Sequence, residues 1–281
     1  MTDLPTLADV VELLDELYPP HLAEDWDSVG LIAGDPRESV RRVLVALDPL
    51  ECIGAEALEA GADLVITHHP LFLRGTSTVA ATSGKGRLVH TLIRSGCALF
   101  NAHTNADAVA GGVADVLADL VGMSEERRPL KPASSDPRIG IGRLGRLQEP
   151  TTVRELAERL ADAVPATPSG VRIGGDPERR VEVLAVCPGA GDSLLEDASR
   201  SGADAYITAD LRHHPASEHL EAGGIPLITA SHYATEWPWV PACAATLGEA
   251  SRQRGWDLEV SYSTTCTEPW STFIPASKGQ S

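Results

Sequence analysis

A ten-residue segment, Gly61-Ala62-Asp63-Leu64-Val65-Ile66-Thr67-His68-His69-Pro70, returns later in the chain as Gly202-Ala203-Asp204-Ala205-Tyr206-Ile207-Thr208-Ala209-Asp210-Leu211-Arg212-His213-His214-Pro215. An apolar strand ending in polar, metal-competent residues is therefore built twice, and the fold must place both copies. The repeat extends outward. Val43 to Leu47 and Val181 to Val186 are β-branched runs, each followed by a helix-like stretch (Glu51 to Ala60, Ser193 to Ser201) ahead of the repeated segment. Both halves read strand, helix, strand. Downstream, Ala98-Leu99-Phe100-Asn101-Ala102-His103 and Pro226-Leu227-Ile228-Thr229-Ala230-Ser231-His232 are third strands that end in histidine, with a carboxylate four residues on, Asp107 and Glu236. The copies lie twelve residues closer at this point, most simply because the first half has a longer loop, Leu73 to Gly86. The expected fold class is α/β: two similar strand-helix-strand lobes related by internal duplication, with a metal site in the cleft between them.

With 281 residues and 43% hydrophobic content the chain can bury a large core, and two halves of ordinary domain size fit the duplication better than one undivided barrel. Lobe 1 is expected over about 1–125 and lobe 2 over about 150–275. The polar stretch Glu125 to Asp136, with Pro129, Pro132 and then Pro137, reads as a connector over about 125–137 rather than as a packed element. Thr6 with Asp9 forms a capping-box pattern ahead of Leu7, Val10, Val11, Leu14 and Leu17, and Pro19-Pro20 ends that helix. Thr152 to Ala163 reads as an amphipathic helix. Ile139 to Leu147 reads as a short strand or hairpin, and Val171 to Gly174 as a strand.

No run reaches the roughly 18 apolar residues of a membrane span, and Met1-Thr2-Asp3-Leu4-Pro5 lacks the basic start and apolar core of a signal peptide. A cytoplasmic protein without a membrane partner is expected. The 23 basic and 40 acidic side chains give a formal charge of −17, which disfavours extended nucleic acid as a partner. Much of the acidic excess belongs to solvated helix faces such as those of Leu7 to Leu17 and Val153 to Ala163. A small anionic substrate held through metal stays compatible. The five cysteines are odd in number and show no Cys-x-x-Cys spacing, so buried thiols are expected rather than disulfides or a zinc knuckle.

Imidazole and carboxylate suit zinc, manganese, iron and related divalent ions, and thiolate is absent from the repeated clusters. Side chains alternate along a strand, so His68 and His69 approach one rim only if the strand finishes there. Pro70, which cannot donate to a ladder, supports such an ending. His103 with Asp107, and His232 with Glu236, share a helix face if a helix begins at each strand end. Any one of these residues alone is more often a surface or capping group. Their recurrence at equivalent strand ends is the stronger signal, since open α/β folds gather those ends around the binding crevice. His213 and His214 stand apart, because Asp210 intervenes and their segment is four residues longer than its partner. They are expected beside the metals rather than on them.

These motifs resemble the GTP cyclohydrolase 1 type 2 homologues, also called Nif-three-like dinuclear metal-centre hexameric proteins. The resemblance runs through Trp26-Asp27-Ser28-Val29-Gly30-Leu31, Thr67-His68-His69-Pro70, Ala102-His103-Thr104-Asn105-Ala106-Asp107, Thr208-Ala209-Asp210-Leu211-Arg212-His213-His214 and Ser231-His232-Tyr233-Ala234-Thr235-Glu236. It spans almost the whole chain. It implies two divalent metal ions per chain, with His68 and His232 on one, His69 and Asp107 on the other, and Glu236 bridging both, His103 close by. Ser28 stands where the family commonly has Asn and Ala209 where it often has Gly, differences in the pocket wall rather than in the ligand set. The chain is of the short form, lacking the domain inserted between the halves of longer members. A homohexamer is also implied.

Two divalent ions outweigh the charge of Asp107 and Glu236, so such a centre is electrophilic. Ions about 3.5–4 Å apart acidify a bridging water and polarise a phosphorus or carbon centre, which points to hydrolysis. His103 and His214 are the candidates for proton transfer. No Walker-type loop occurs, and nothing marks a guanine pocket. The expected function is metal-dependent hydrolysis of a nucleotide-like or other phosphorylated small molecule. The alternative is a metal-binding scaffold or regulator without turnover. Four terminal ligands and one bridge leave open positions on two ions, which favours catalysis.

Overall fold

The computed structural model describes residues 4–134 and 136–275. Its contacts divide the chain into two compact units, each assembled from separate stretches: Met1–Val116, Pro132–Gly142 and Trp237–Thr267 form one, Leu117–Lys131, Arg143–Glu236 and Glu268–Ser281 the other.

The first unit holds a five-stranded sheet. Its strands are β1 (Gly30–Ala33), β2 (Arg42–Ala46), β3 (Leu64–Thr67) and β4 (Ala98–Asn101), joined at the far edge by β13 (Glu259–Tyr262), in the order β1-β4-β3-β2-β13. All neighbours run parallel except β1 on β4. Helices α1 (Leu7–Leu17), α2 (Glu51–Ala60), α3 (Gly84–Ser95), α4 (Thr104–Ala108) and α10 (Trp239–Gln253) belong to this unit, and α5 (Val113–Leu120) leads out of it. The Thr6 and Asp9 capping box forms as the sequence predicts. Strands β2 to β4 are buried on both faces, as the continuous runs of Val, Leu and Ile require. Leu44, Val65 and Leu99 from the sheet meet Ile53, Leu88 and Leu92 from α2 and α3 in one core, where each large aliphatic side chain contributes about 1.5–3 kcal/mol.

The second unit holds six strands: β5 (Met123–Arg128), β8 (Arg143–Thr152), β9 (Arg172–Gly174), β10 (Arg180–Ala190), β11 (Ala205–Ala209) and β12 (Leu227–Thr229), in the order β5-β8-β10-β11-β12-β9. Short β6 (Lys131–Pro132) and β7 (Gly140–Ile141) pair with each other. The helices are α6 (Val153–Ala163), α7 (Leu195–Arg200), α8 (His213–Glu221) and α9 (His232–Glu236). Three parallel strands, β10-β11-β12, carry an antiparallel neighbour, β9, just as β2-β3-β4 carry β1. The equivalent connections seen in the sequence thus produce equivalent sheet arrangements.

The repeated Gly-Ala-Asp has a structural explanation. Gly61 sits at φ 59 after α2 and Gly202 at φ 86 after α7, left-handed positions that a Cβ disfavours. Asp63 Oδ2 then accepts from the backbone N–H groups of Arg41 and Arg42, at 2.9 and 2.8 Å. Asp204 Oδ2 does the same for Glu182 and Val183, both at 2.9 Å. In each copy a carboxylate pins the entry of one strand to the start of its neighbour.

Two expectations need correction. Glu125 to Arg128 are not connector but part of β5, the edge strand paired antiparallel with β8; its outward charged residues give an edge strand the composition of a loop. Of the cysteines, Cys97, Cys187 and Cys243 are buried, but Cys52 and Cys266 are exposed, and all five are free thiols. Cys52 falls on the solvent side of the first turn of α2, and Cys266 on the extended chain beyond β13. Among the described residues, no helix is long and apolar enough to cross a membrane.

Candidate metal centre

In the first unit, β3 ends at Thr67, and the two histidines follow where the alternation of the strand has stopped. His68 is buried and His69 partly so. Helix α4 begins one residue after His103, which serves as its N-cap, and carries Asp107 on its first turn. The ligand atoms of His68, His69 and His103 all lie within 4.8 Å of one another. Asp107 Oδ1 is 3.7 Å from His68 Nε2. Four of the residues singled out from sequence are therefore together at adjacent ends of parallel strands.

The other nitrogen of each ring is committed to the protein. His68 Nδ1 donates to the Ala102 carbonyl at 2.9 Å, a bond that orients the ring with its Nε2 toward Asp107. His69 Nδ1 is 2.7 Å from Asp48 Oδ1. His103 Nδ1 is 2.9 Å from Asp27 Oδ2. Carboxylate or carbonyl on one nitrogen and metal on the other is the arrangement that orients imidazole ligands and raises their basicity.

Asp27 is the hub of this corner. Its Oδ2 also accepts from Thr104 N at 3.1 Å and Thr104 Oγ1 at 2.6 Å, and its side chain is fully out of solvent. Burial raises its pKa, but the bonds from His103 and Thr104 outweigh it and hold the carboxyl well below the usual range. The exposed indole of Trp26 meets His103 edge-on at 5.9 Å. Behind His68 stands Trp239, 1% exposed, with ring centroids 5.3 Å apart, so the buried histidine is held on an aromatic wall.

In the second unit β12 delivers His232 to the start of α9, and Glu236 follows one turn later. His232 Nε2 is 3.0 Å from Glu236 Oε2, and His232 Nδ1 is 2.7 Å from Asp210 Oδ2. Burial lowers the imidazole pKa, yet Glu236 and Asp210 together outweigh it and push it up to about 11. Asp210 follows the repeated strand β11 with φ 51, the one non-glycine residue at positive φ among those described, a conformation that Asp tolerates better than most. Gly189, at φ 65 near the end of β10, leaves room for the pair: a Cβ there would lie 2.0 Å from Glu236 Oε1 and 3.2 Å from His232 Nε2. Thr235 Oγ1 accepts from Gly189 N at 3.0 Å and fixes that approach.

His214 takes another place. It is exposed on the first turn of α8, its ring 5.2 Å from that of His213, and belongs to neither the His68 group nor the His232 pair. Sequence reasoning gave no role to Asp48, Asp27, Asp210 or Gly189. Asp48 had a readable signal, since it lies just beyond the carboxyl end of β2 on the same rim as His68 and His69.

Donor chemistry fits a divalent ion in both units. Each cluster offers imidazole nitrogen and carboxylate oxygen, with protein acceptors on the Nδ1 atoms of the rings. A family model described as Duf34/NIF3 (NGG1p interacting factor 3) matches residues 5–269. The chain belongs to the DUF34/NIF3 family. It is 50% identical over 273 residues to the GTP cyclohydrolase 1 type 2 homolog of Streptomyces coelicolor, a match covering 96% of this chain and 95% of that one. The Mycobacterium bovis protein of the same name is 35% identical, with 94% and 96% covered, over 369 aligned residues. That relative thus carries inserted residues absent from this chain. A solved Staphylococcus aureus hypothetical protein superposes with a TM-score of 0.89 at 26% identity, covering 96% of this chain and all of that one. A Bacillus cereus protein related to NIF3 shares the fold, with a TM-score of 0.89 at 22% identity and 97% of this chain covered.

Proposed function

We propose that this chain is a dinuclear metal-dependent hydrolase of a nucleotide-like or other phosphorylated small molecule. His68, His69, Asp107, His232 and Glu236 together supply the ligands for two divalent ions, zinc, manganese or iron. The observation that carries the reading is the pattern of imidazole bonding: His68, His69 and His232 each give Nδ1 to a protein acceptor and turn Nε2 to a neighbouring ligand group. Family membership and the hydrolase-like name of the relatives support it.

Such an ion pair supplies an acidified water and a polarised substrate at neutral pH. The chain's own residues do the rest. Asp48, Asp210 and the Ala102 carbonyl orient the ligand rings. His103, held by Asp27, takes and returns the proton of the attacking water. His214, exposed and separate, is the second candidate for proton transfer. In solution the chain is proposed to assemble as a homohexamer, as the resemblance implies, which sedimentation tests.

The decisive experiment is elemental analysis of protein purified without chelator, followed by a hydrolysis screen over nucleotides and phosphoesters with that metal restored. About two ions per chain and turnover abolished by Asp107→Ala would bear the reading out. Metal without turnover on any substrate would instead make the chain a metal-binding scaffold or regulator.

A further inference from the structure

The second unit contains a cavity of about 350 Å³ beside its metal-competent pair, within the range of roughly 300–1,000 Å³ that small-molecule sites span. His232 and Asp210 form part of its wall, together with Ser231, Arg172, Glu268 and Trp270. Arg172, Glu268 and Trp270 lie outside the His232 and Glu236 pair and its hydrogen-bond partners. Trp270 is 67% exposed, an indole left in solvent at the edge of a cavity where burial would be favourable. Arg172 is exposed on the edge strand β9, and no carboxylate among the described residues pairs with it. The wall also carries two acids: Asp210 accepts from His232, and Glu268 Oε1 accepts from the Trp270 backbone N–H at 3.3 Å. The cavity thus offers a flat aromatic face and an uncommitted guanidinium next to a metal ligand.

We propose that this cavity binds the non-reacting part of the substrate, a planar aromatic ring bearing an anionic group, with the ring stacked on Trp270 and the anion held by Arg172. The inference rests on the hydrolase reading, since it places the reacting end of the molecule against His232. Stacking on an indole is tolerant of ring identity and contributes about tenfold or more in affinity. The planar fork of Arg suits phosphate or carboxylate and adds selectivity for the charged ligand. Both side chains are solvent-exposed, so replacing them leaves the core intact.

Calorimetric titration of the metal-loaded protein with guanosine monophosphate, guanosine and ribose 5-phosphate tests it, with metal content measured on every sample. The nucleotide should bind at least tenfold more tightly than either fragment. Trp270→Ala should weaken the nucleotide and guanosine by about tenfold but leave ribose 5-phosphate unchanged, while Arg172→Met should weaken the two phosphorylated probes and spare guanosine. Metal content should stay at the wild-type value in both variants. Absence of nucleotide binding, or binding indifferent to both substitutions, overturns the proposal whatever the metal analysis gives. So does a Trp270→Ala variant that changes sedimentation instead of binding, which would make the indole a contact between copies. Binding with the expected pattern but no turnover in the hydrolysis screen would sink the enzymatic reading and leave the subsite standing.

Discussion

Asp48 Oδ1 lies 2.7 Å from His69 Nδ1, the carboxylate at the end of β2 and the imidazole at the end of β3 having been brought together by parallel pairing of the two strands. The other oxygen of Asp48 accepts from the hydroxyl of Thr267, so the carboxylate is held from both sides. Removing it leaves the His69 ring unoriented and less basic. Asp48→Ala should therefore weaken metal affinity by about 10- to 100-fold, measured by competition against a chromophoric chelator. Asp48→Asn, whose carbonyl can still accept from Nδ1–H, should lose less than the alanine variant. Equal affinity in all three proteins would rule out an orienting role for Asp48.

Asp27 gives a prediction about acid. Its folded pKa is depressed, so it contributes stability that is fully present above the unfolded value of about 3.9 and is lost as pH falls through that value toward the folded one. Thermal melts of Asp27→Asn should show a loss of about 1.5–3 kcal/mol near pH 7, the range for hydrogen bonds to a buried charge. The gap from wild type should narrow only as pH drops below about 4, toward the folded value. A gap that stays constant across that window would mean that the carboxylate's charge is not what matters.

The sequence made the parallel cores and the histidine-bearing strand ends legible because both depend on local, repeated patterns. Gly61-Ala62-Asp63 and Gly202-Ala203-Asp204 repeat because the same backbone turn and the same pair of N–H groups must be satisfied twice. The His68-His69-Pro70 ending could be read because proline marks where a ladder stops. What sequence could not convey were pairings between distant positions. Asp48 with His69 spans 21 residues and Asp210 with His232 spans 22, and no spacing rule links an aspartate to a ring that only sheet registration brings near. Strand β13 escaped notice for the same reason: Glu259–Tyr262 pairs with β2, more than 200 residues earlier in the chain. In β5 the edge position allowed a charged composition that imitates a linker.

Gly189 tests whether the Glu236 carboxylate must sit where it does. A methyl group there meets Glu236 Oε1 at 2.0 Å on a backbone already at φ 65. Gly189→Ala should cost about 1–2 kcal/mol from the left-handed conformation alone and should displace Glu236 from His232. Metal per chain, read by elemental analysis after desalting, should fall in Gly189→Ala while the core remains folded by circular dichroism. Gly223→Ala, at φ 76 with open space around its Cβ position, is the matched control: it carries the backbone cost and should keep its metal.

His232 predicts the proton balance of metal uptake. In the metal-free protein Glu236 and Asp210 raise its pKa from 6.5 to about 11. A raised folded pKa means that the imidazolium's contribution is fully present below about 6.5 and is lost as pH climbs through 11, so the metal-free protein should lose stability across that alkaline window. Coordination requires the neutral ring, and an ion entering at pH 7.5 must expel the proton that His232 carries. Calorimetric titration of zinc into metal-free protein in two buffers of different ionisation enthalpy should report close to one proton released per chain from this residue, and apparent affinity should rise with pH. His232→Gln should abolish that proton release. It should also flatten the alkaline loss of stability, because the amide has no charge to surrender. Zinc binding in wild type with no buffer dependence would mean that His232 is already neutral, and the charge pattern assigned to the second unit's pair would then be wrong.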